Sequence, residues 1–266
     1  MTKEEILAGS GTILGGGLVA RNKRLKRVRK RQLAFFRVLF FVVVGAISFF
    51  YFLQSSFWEL DTFLVKGNES VEREEILQLA NIPYDLNIFK IDLQESEGRI
   101  LVHPLIKKAS LSRKLPRTVL IDVEERKPII ILPIEGCFYE ADKEGVVIRD
   151  IATVSHSGLP LVTGLQLENV ELGFQILNED IRETCIVVEE LPTEVLDMVA
   201  EIDLSQQGTI IFHTLDDILI NFGGADRIKE KAVILKGIFE SAELQREKLE
   251  YVDLSFVGPP VIKYKK

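Results

Sequence analysis

HPLIKKASLSRKLPRTVLIDVEERKP, residues 103–128, reads as two strands with a break between them. Residues 108–112 alternate, Leu115-Pro116 interrupts, and residues 118–125 alternate strictly. Val119, Ile121 and Val123 share one face of that second strand, with Asp122 and Glu124 on the other, which is the pattern of a half-buried sheet. Upstream, residues 60–66 predict a short strand ended by Gly67-Asn68. Ser70 is the expected N-cap of a helix, with Glu72, Glu74 and Glu75 placing negative charge at its positive end. Ile76, Leu77, Leu79 and Ala80 supply its buried side and Pro83 closes it. A second helix is expected over residues 92–102, stopped by Pro104. The order β-α-α-β-β in about 70 residues predicts a small α+β domain.

Downstream, short strands dominate. Residues 129–133 and 137–141 flank a Pro/Gly break, and Asp142-Lys143-Glu144-Gly145 makes a turn before a strand at 146–149. Asn178 caps a helix that Pro192 ends, and strands are expected at 200–204, 208–214 and 218–222. A longer helix is predicted over 226–245, with Ile228, Ala232, Leu235, Phe239 and Ala242 forming one apolar stripe that packs on the sheet. The chain closes with strands at 251–256 and 261–264 around Gly258-Pro259-Pro260, then two lysines. The expected class is α+β: a single transmembrane helix, the small domain, and a mainly antiparallel β domain with flanking helices.

The span is predicted at residues 38–58, VLFFVVVGAISFFYFLQSSFW, which carry no charge. About 20 apolar residues at ~1.5 Å each match a hydrocarbon core of ~30 Å. A signal peptide has a shorter core and a small-residue cleavage site, and no A-x-A pattern follows here. The preceding basic stretch, Arg21 to Arg37, places the N-terminus in the cytoplasm. Ten Lys/Arg against two Glu give residues 1–58 a net of +8, and 23 against 38 give the remainder −15, together the −7 of the chain. Beside a span, the basic block is topology control and lipid contact rather than a nucleic-acid site, and the acidic remainder argues against polyanion binding. The glycines Gly9, Gly11 and Gly15–Gly17 mark residues 1–20 as a flexible tail. Cys137 and Cys185 are the only cysteines; two unpaired, buried thiols is the favoured reading, and pairing stays open.

Pro104, Ile106, Ala109, Leu111, Arg113, Pro116, Thr118, Val119, Ile121, Val123, Glu125, Arg126 and Pro128 reproduce a P-x-[IV]-x-x-A-x-[LV]-x-R-x-x-P-x-T-[LV]-x-I-x-[VI]-x-E-R-x-P pattern. In this the chain resembles the FtsQ/DivIB family across its POTRA domain and into its β domain. Val65-Lys66-Gly67-Asn68, the Asp142–Gly145 turn, Leu159-Pro160-Leu161-Val162-Thr163-Gly164 and Tyr251-Val252-Asp253-Leu254 agree with it, although Ser255 stands where the family has Arg. The resemblance implies a non-enzymatic divisome adaptor at the septum, divided as a basic tail (1–37), a span (38–58), a POTRA domain (59–127) and a β domain (128–266). It implies FtsB/DivIC-like and FtsL-like single-span partners, with the FtsB-type partner adding a strand at the sheet's last strand. Tyr251, Phe256, Val261, Lys263 and Tyr264 are then the expected partner-binding residues, and Val65, Gly67, Asn68 and Arg113 a recruitment surface.

The residues supply a physical reason. A terminal strand leaves N–H and C=O groups unpaired, and strand addition satisfies them. Two readings stand for Lys263, Lys265 and Lys266: protection of the edge against aggregation, or steering of an acidic partner. Phe256 is read as an anchor or as core. No Ser lies three residues before a Lys, and neither G-x-S-x-G nor H-E-x-x-H occurs. His103, His156 and His213 are scattered, Glu124-Glu125-Arg126 reads as an interdomain ion pair, and neither a cofactor nor a metal site is expected. The competing reading is a membrane-anchored POTRA protein of secretion or outer-membrane assembly, although no barrel strands follow.

Overall fold

The computed structural model describes residues 14–154, 158–167, 170–241 and 249–265, with side chains from Leu33 onward. The chain divides into two units. One holds Met1–Asp61, Tyr84–Lys90 and Leu115–Arg117; the other holds Thr62–Pro83, Ile91–Lys114 and Thr118–Lys266.

The first unit is built on α1 (Leu14–Leu53). This helix begins within the stretch expected as flexible tail, because a helix once nucleated propagates at little cost into adjoining sequence. Its segment Leu33–Leu53, 21 residues with mean hydropathy 2.4 and none buried, is long and apolar enough to cross a membrane. The helix ends at Leu53, five residues before the expected end at Trp58. There the side-chain amide Nδ2 of Asn87 donates to the Leu53 carbonyl at 2.7 Å, and Ser56–Trp58 tightens into a 3₁₀ turn. Residues 59–61 are held on both sides. The Leu60 N–H donates to Leu86 O at 2.9 Å, and the Asp61 N–H donates to Arg117 O at 2.9 Å.

The second unit opens with β1 (Thr62–Lys66), α2 (Arg73–Ala80), α3 (Leu93–Ile100), β2 (Ile106–Lys114) and β3 (Thr118–Glu125). The three strands form one sheet in the order β1-β3-β2, β1 parallel and β2 antiparallel to β3. Val119, Ile121 and Val123 are buried, as their alternation predicts. Asp92 caps α3 by accepting from the Glu95 N–H at 3.0 Å. Ser70 does not cap α2; Glu72 holds the cap position, with no side-chain cap bond. Instead, the carboxylate of Glu125 accepts the N–H groups of Glu69, Ser70 and Val71 at 2.8, 2.8 and 3.0 Å. That contact spans 55 residues and fixes the turn that leads into α2, while the helix's own N-terminus has no side-chain cap.

Then come β4 (Pro128–Ile134), β5 (Cys137–Asp142), β6 (Val147–Ile151), β7 (Leu161–Thr163), α4 (Glu179–Glu190), α5 (Thr193–Leu196), β8 (Val199–Asp203), β9 (Ile210–Thr214), β10 (Leu219–Gly223), α6 (Ile228–Ser241), β11 (Leu249–Asp253) and β12 (Val261–Tyr264). Nine strands form one sheet, β12-β11-β10-β9-β8-β7-β4-β5-β6. Five neighbouring pairs are antiparallel and three parallel, so the sheet is mainly antiparallel. Its core joins Ile130, Val162, Ile202, Phe212, Ile220, Phe222 and Val252 on strands to Ile181, Val188, Leu235 and Phe239 on helices. Burying such side chains contributes ~1.5–3 kcal/mol each before entropy is counted. Asn178 caps α4 through the Ile181 N–H at 3.1 Å, as expected. Ala232, Leu235 and Phe239 of the predicted stripe are buried. Gly9, Gly11, His156, Ala242, Gln245 and Lys266 lie outside the described residues.

Both thiols are unpaired, but Cys137 is exposed where burial was expected, since β5 begins at a surface turn. Burial pushes the Cys185 thiol up to about 12, so it stays protonated and inert.

Candidate functional site

The two ends of the nine-stranded sheet differ. At one end β6 is partly covered: the Val147 N–H donates to Phe174 O at 3.0 Å, and the Gly173 N–H donates to Val147 O at 2.8 Å. At the other end β12 pairs with β11 on one side, and no described strand pairs with it on the other. Val261 and Tyr264 are 51 % and 52 % exposed there. Ile262 between them packs against the core, while Val261 and Lys263 share the opposite face of the strand and Tyr264 stays exposed at its end.

The approach to this edge is built firmly. Asp253, at the end of β11, accepts from the Ser255 N–H at 2.9 Å and the Ser255 hydroxyl at 2.6 Å. Its other oxygen takes the Tyr251 hydroxyl at 2.7 Å and Asn221 Nδ2 at 3.4 Å. Burial works to raise its carboxyl pKa, but the donors from Ser255, Tyr251 and Asn221 together hold it below the usual range. Arg227 Nη2 donates to Phe256 O at 3.1 Å, tying the loop that carries the chain to β12 back to the start of α6. Lys231 is 1 % exposed; its ammonium donates to Gly224 O and Asp226 Oδ1 at 2.9 Å and lies 4.7 Å above the Phe222 ring. Gly223 has φ +73°, and a Cβ there would lie 2.8 Å from Ser255 Cα, so only glycine fits against this loop.

A cleft of about 500 Å³ is lined by Lys107, Arg126, Asp142, Lys143, Glu189 and Leu191. Its charges answer one another: Arg126 Nη1 reaches Asp142 at 2.5 Å and Glu144 at 2.8 Å, Lys107 reaches Glu144 at 2.7 Å, and Lys143 pairs with Glu189. Arg126 is thus ion-paired, whereas Glu125, expected with it in an ion pair, accepts backbone N–H groups of residues 69–71, and Glu124 pairs with Lys108 at 2.7 Å. His103 accepts from the Leu105 N–H and sits 3.3 Å from Glu75, away from His213 on β9. Among the described residues no three His, Cys, Asp or Glu gather as metal ligands.

Known proteins agree with this architecture. Residues 59–126 match the model described as POTRA domain, FtsQ-type, and residues 132–255 match Cell division protein FtsQ/DivIB, C-terminal. The chain belongs to the FtsQ/DivIB family. It is 26 % identical to cell division protein FtsQ of Geobacter sp. (strain M21) over 77 % of this chain and 75 % of that one. It is 23 % identical to cell division protein DivIB of Clostridium botulinum over 92 % and 96 %, and 34 % identical to DivIB of Bacillus subtilis over 52 % and 51 %. The major extracytoplasmic domain of DivIB from Geobacillus stearothermophilus aligns over 98 % of its length and 46 % of this chain, at 18 % identity and a TM-score of 0.32, too low to carry argument.

Placed on this FtsQ/DivIB chain, the expected partner-binding residues separate into groups. Val261, Lys263 and Tyr264 lie on the free strand; Phe256 lies in the loop before it and is 42 % exposed, so it is not core. Tyr251 sits one strand inward, half-buried, its hydroxyl committed to Asp253. Lys263 reaches Glu250 at 2.5 Å, an exposed pair that already answers its charge. The second group is more structural than it looked. Gly67 has φ +79° and a Cβ there would meet Val123 O at 1.9 Å, and Asn68 Nδ2 donates to Val71 O at 3.1 Å. Val65 is half-buried on β1, and Arg113 Nη2 donates to Ile91 O at 2.7 Å from an exposed side chain. Asp253, Arg227, Lys231 and Ile262 were missed. Lys231 showed only as a charge beside the apolar stripe, three residues after Ile228.

Proposed function

We propose that this chain is a non-enzymatic adaptor of cell division that receives a small single-span division protein by strand addition at β12. The observation that carries this reading is the asymmetry of the sheet, with β6 partly covered and β12 open. An open strand offers backbone groups at regular spacing, and exposed Val261 and Tyr264 offer side-chain contacts beside them. The partner is an FtsB/DivIC-like protein, with an FtsL-like protein in the same assembly. Residues 1–32 remain cytoplasmic, the segment Leu33–Leu53 of α1 crosses the plasma membrane, and residues 59–127 and 128–266 work outside it at the septum. The basic flank ahead of the span and the acidic remainder support that orientation.

The test is co-purification of the full chain with its small single-span partners from membranes. Proline is placed in turn at positions 261, 262, 263 and 264. A proline at a position whose N–H points away from β11 removes one inter-chain hydrogen bond and leaves the β11–β12 pair intact. Loss of the partner at those positions, with the fold retained, is the expected result. Full retention of the partner at all four overturns strand addition.

A further inference from the structure

The segment Tyr84–Lys90, YDLNIFK, belongs to the same unit as the apolar helix, far from it in sequence. Asn87 Nδ2 donates to the carbonyl of Leu53, the last residue of α1, at 2.7 Å. Glu59 and Asn87 form an isolated antiparallel bridge, and the Asp85 N–H donates to Leu60 O at 3.1 Å. Phe89 packs against Trp58 with ring centroids 5.1 Å apart and planes tilted by 58°; Trp58 in turn meets Phe57 at 4.9 Å and Phe52 at 5.6 Å. Beyond α1, four large side chains of this unit stay uncovered among the described residues: Phe57 at 52 %, Tyr84 at 56 %, Phe89 at 46 % and Leu115 at 56 %.

Depth follows from these bonds. Leu33–Leu53 is 21 residues, and at ~1.5 Å per residue it spans a hydrocarbon core of ~30 Å. Leu53 then lies at the border of hydrocarbon and headgroups. A hydrogen bond of 2.7 Å carries Asn87 to that same depth, and its tilted ring contact carries Phe89 there with Trp58. The Asn87 amide also answers a helix-end carbonyl where water is scarce, which is the group a span must not leave bare. Aromatic side chains, apolar in body and polar at the tip, gather at this depth. The Trp58 ring is held within this aromatic cluster, its indole N–H covered by the protein.

We propose that Tyr84–Lys90 is a membrane-interface anchor: Tyr84 and Phe89, with Phe57 and Trp58, seat in the headgroup layer where α1 leaves the bilayer. The occupant of this apolar patch is lipid, because the patch is bonded to the end of the span itself. This inference rests on the reading that α1 crosses the membrane.

Trp58 is the only tryptophan, so single-tryptophan reporters are available. The full chain carrying Trp58→Phe is placed in nanodiscs of phosphatidylethanolamine and phosphatidylglycerol. Tyr84→Trp, Phe89→Trp and, within the span, Val44→Trp are introduced separately. The expected result is that the reporters at 84 and 89 lose emission to lipids brominated near the headgroups and resist aqueous iodide. Quenching of both by iodide and not by brominated lipid overturns the anchor, provided the reporter at 44 is still quenched by deeply brominated lipid. Protection from iodide and bromine alike overturns it too, since protein then covers the patch. Failure of the reporter at 44 to sense any brominated lipid overturns the membrane reading itself, and the anchor with it.

Discussion

Glu125 holds three backbone N–H groups from residues 69–71 in one carboxylate, a long-range bond that local propensity could not foretell. Burial works to raise its pKa, and the N–H groups of Val71, Ser70 and Glu69 bring it below the usual range. Nearby, hydrogen bonds from Lys107 and Arg126 hold Glu144 at about 2, below its ordinary 4.5. The folded chain thus binds fewer protons here than the unfolded chain between about pH 4.5 and 2. The stabilisation from Glu144 is full above about pH 4.5 and is lost as pH falls toward 2. With Glu144 42 % exposed, solvent screening reduces its share to about 1 kcal/mol. Denaturant titrations across this window should show a shallower loss of stability in Glu144→Gln than in the parent; an unchanged slope assigns the effect to other carboxylates. Asn178 was legible as a cap because its partner lies three residues away, whereas Asp92 was read only as the start of its helix. Ser70 misled because α2 begins two residues later, with Glu72 at the cap position, and the Ser70 N–H goes to Glu125, 55 residues off.

Among the elements, the β11–β12 pair and its loop carry the functional reading. Strand positions were legible from alternation, and the terminal strand was found to within a residue. Neighbours were not: β10 and β11 are parallel, joined across α6, so which strand covers Tyr251 depends on a crossover that alternation does not record. Gly223 is the element's pivot. Gly223→Ala meets both a left-handed φ and Ser255 Cα at 2.8 Å, for a cost of about 2–3 kcal/mol. The clash displaces Ser255, Asp253 and the loop to β12, so partner capture should fall together with stability. Gly208→Ala is the control: its φ is +71°, nothing lies within 4 Å of a Cβ, and it should lose stability by strain alone with partner capture kept. Equal capture by both variants, measured by pull-down at a temperature where each is folded, argues against the loop's role.

At the scale of the molecule, one apolar helix, a three-stranded α+β sheet and a nine-stranded sheet follow in chain order. That order was legible because each part has its own period: uniform apolarity for the helix, then alternation broken by caps and turns. The helix end was misjudged because the stretch stays uncharged to Trp58, although the polar run Gln54-Ser55-Ser56 marks the break; the Leu53 carbonyl left there is met by Asn87, 34 residues on. The proposed function rests on the contrast between the partly covered β6 and β12, with which no described strand pairs on its outer side, a contrast that only the assembled sheet displays. Hydrogen exchange on the full chain, alone and with the small single-span partner, tests this most directly. Strand addition predicts that amides of Val261–Tyr264 slow sharply on binding, with Val147–Ile151 unchanged. Unchanged exchange at Val261–Tyr264 in the formed complex, with protection elsewhere, would contradict it.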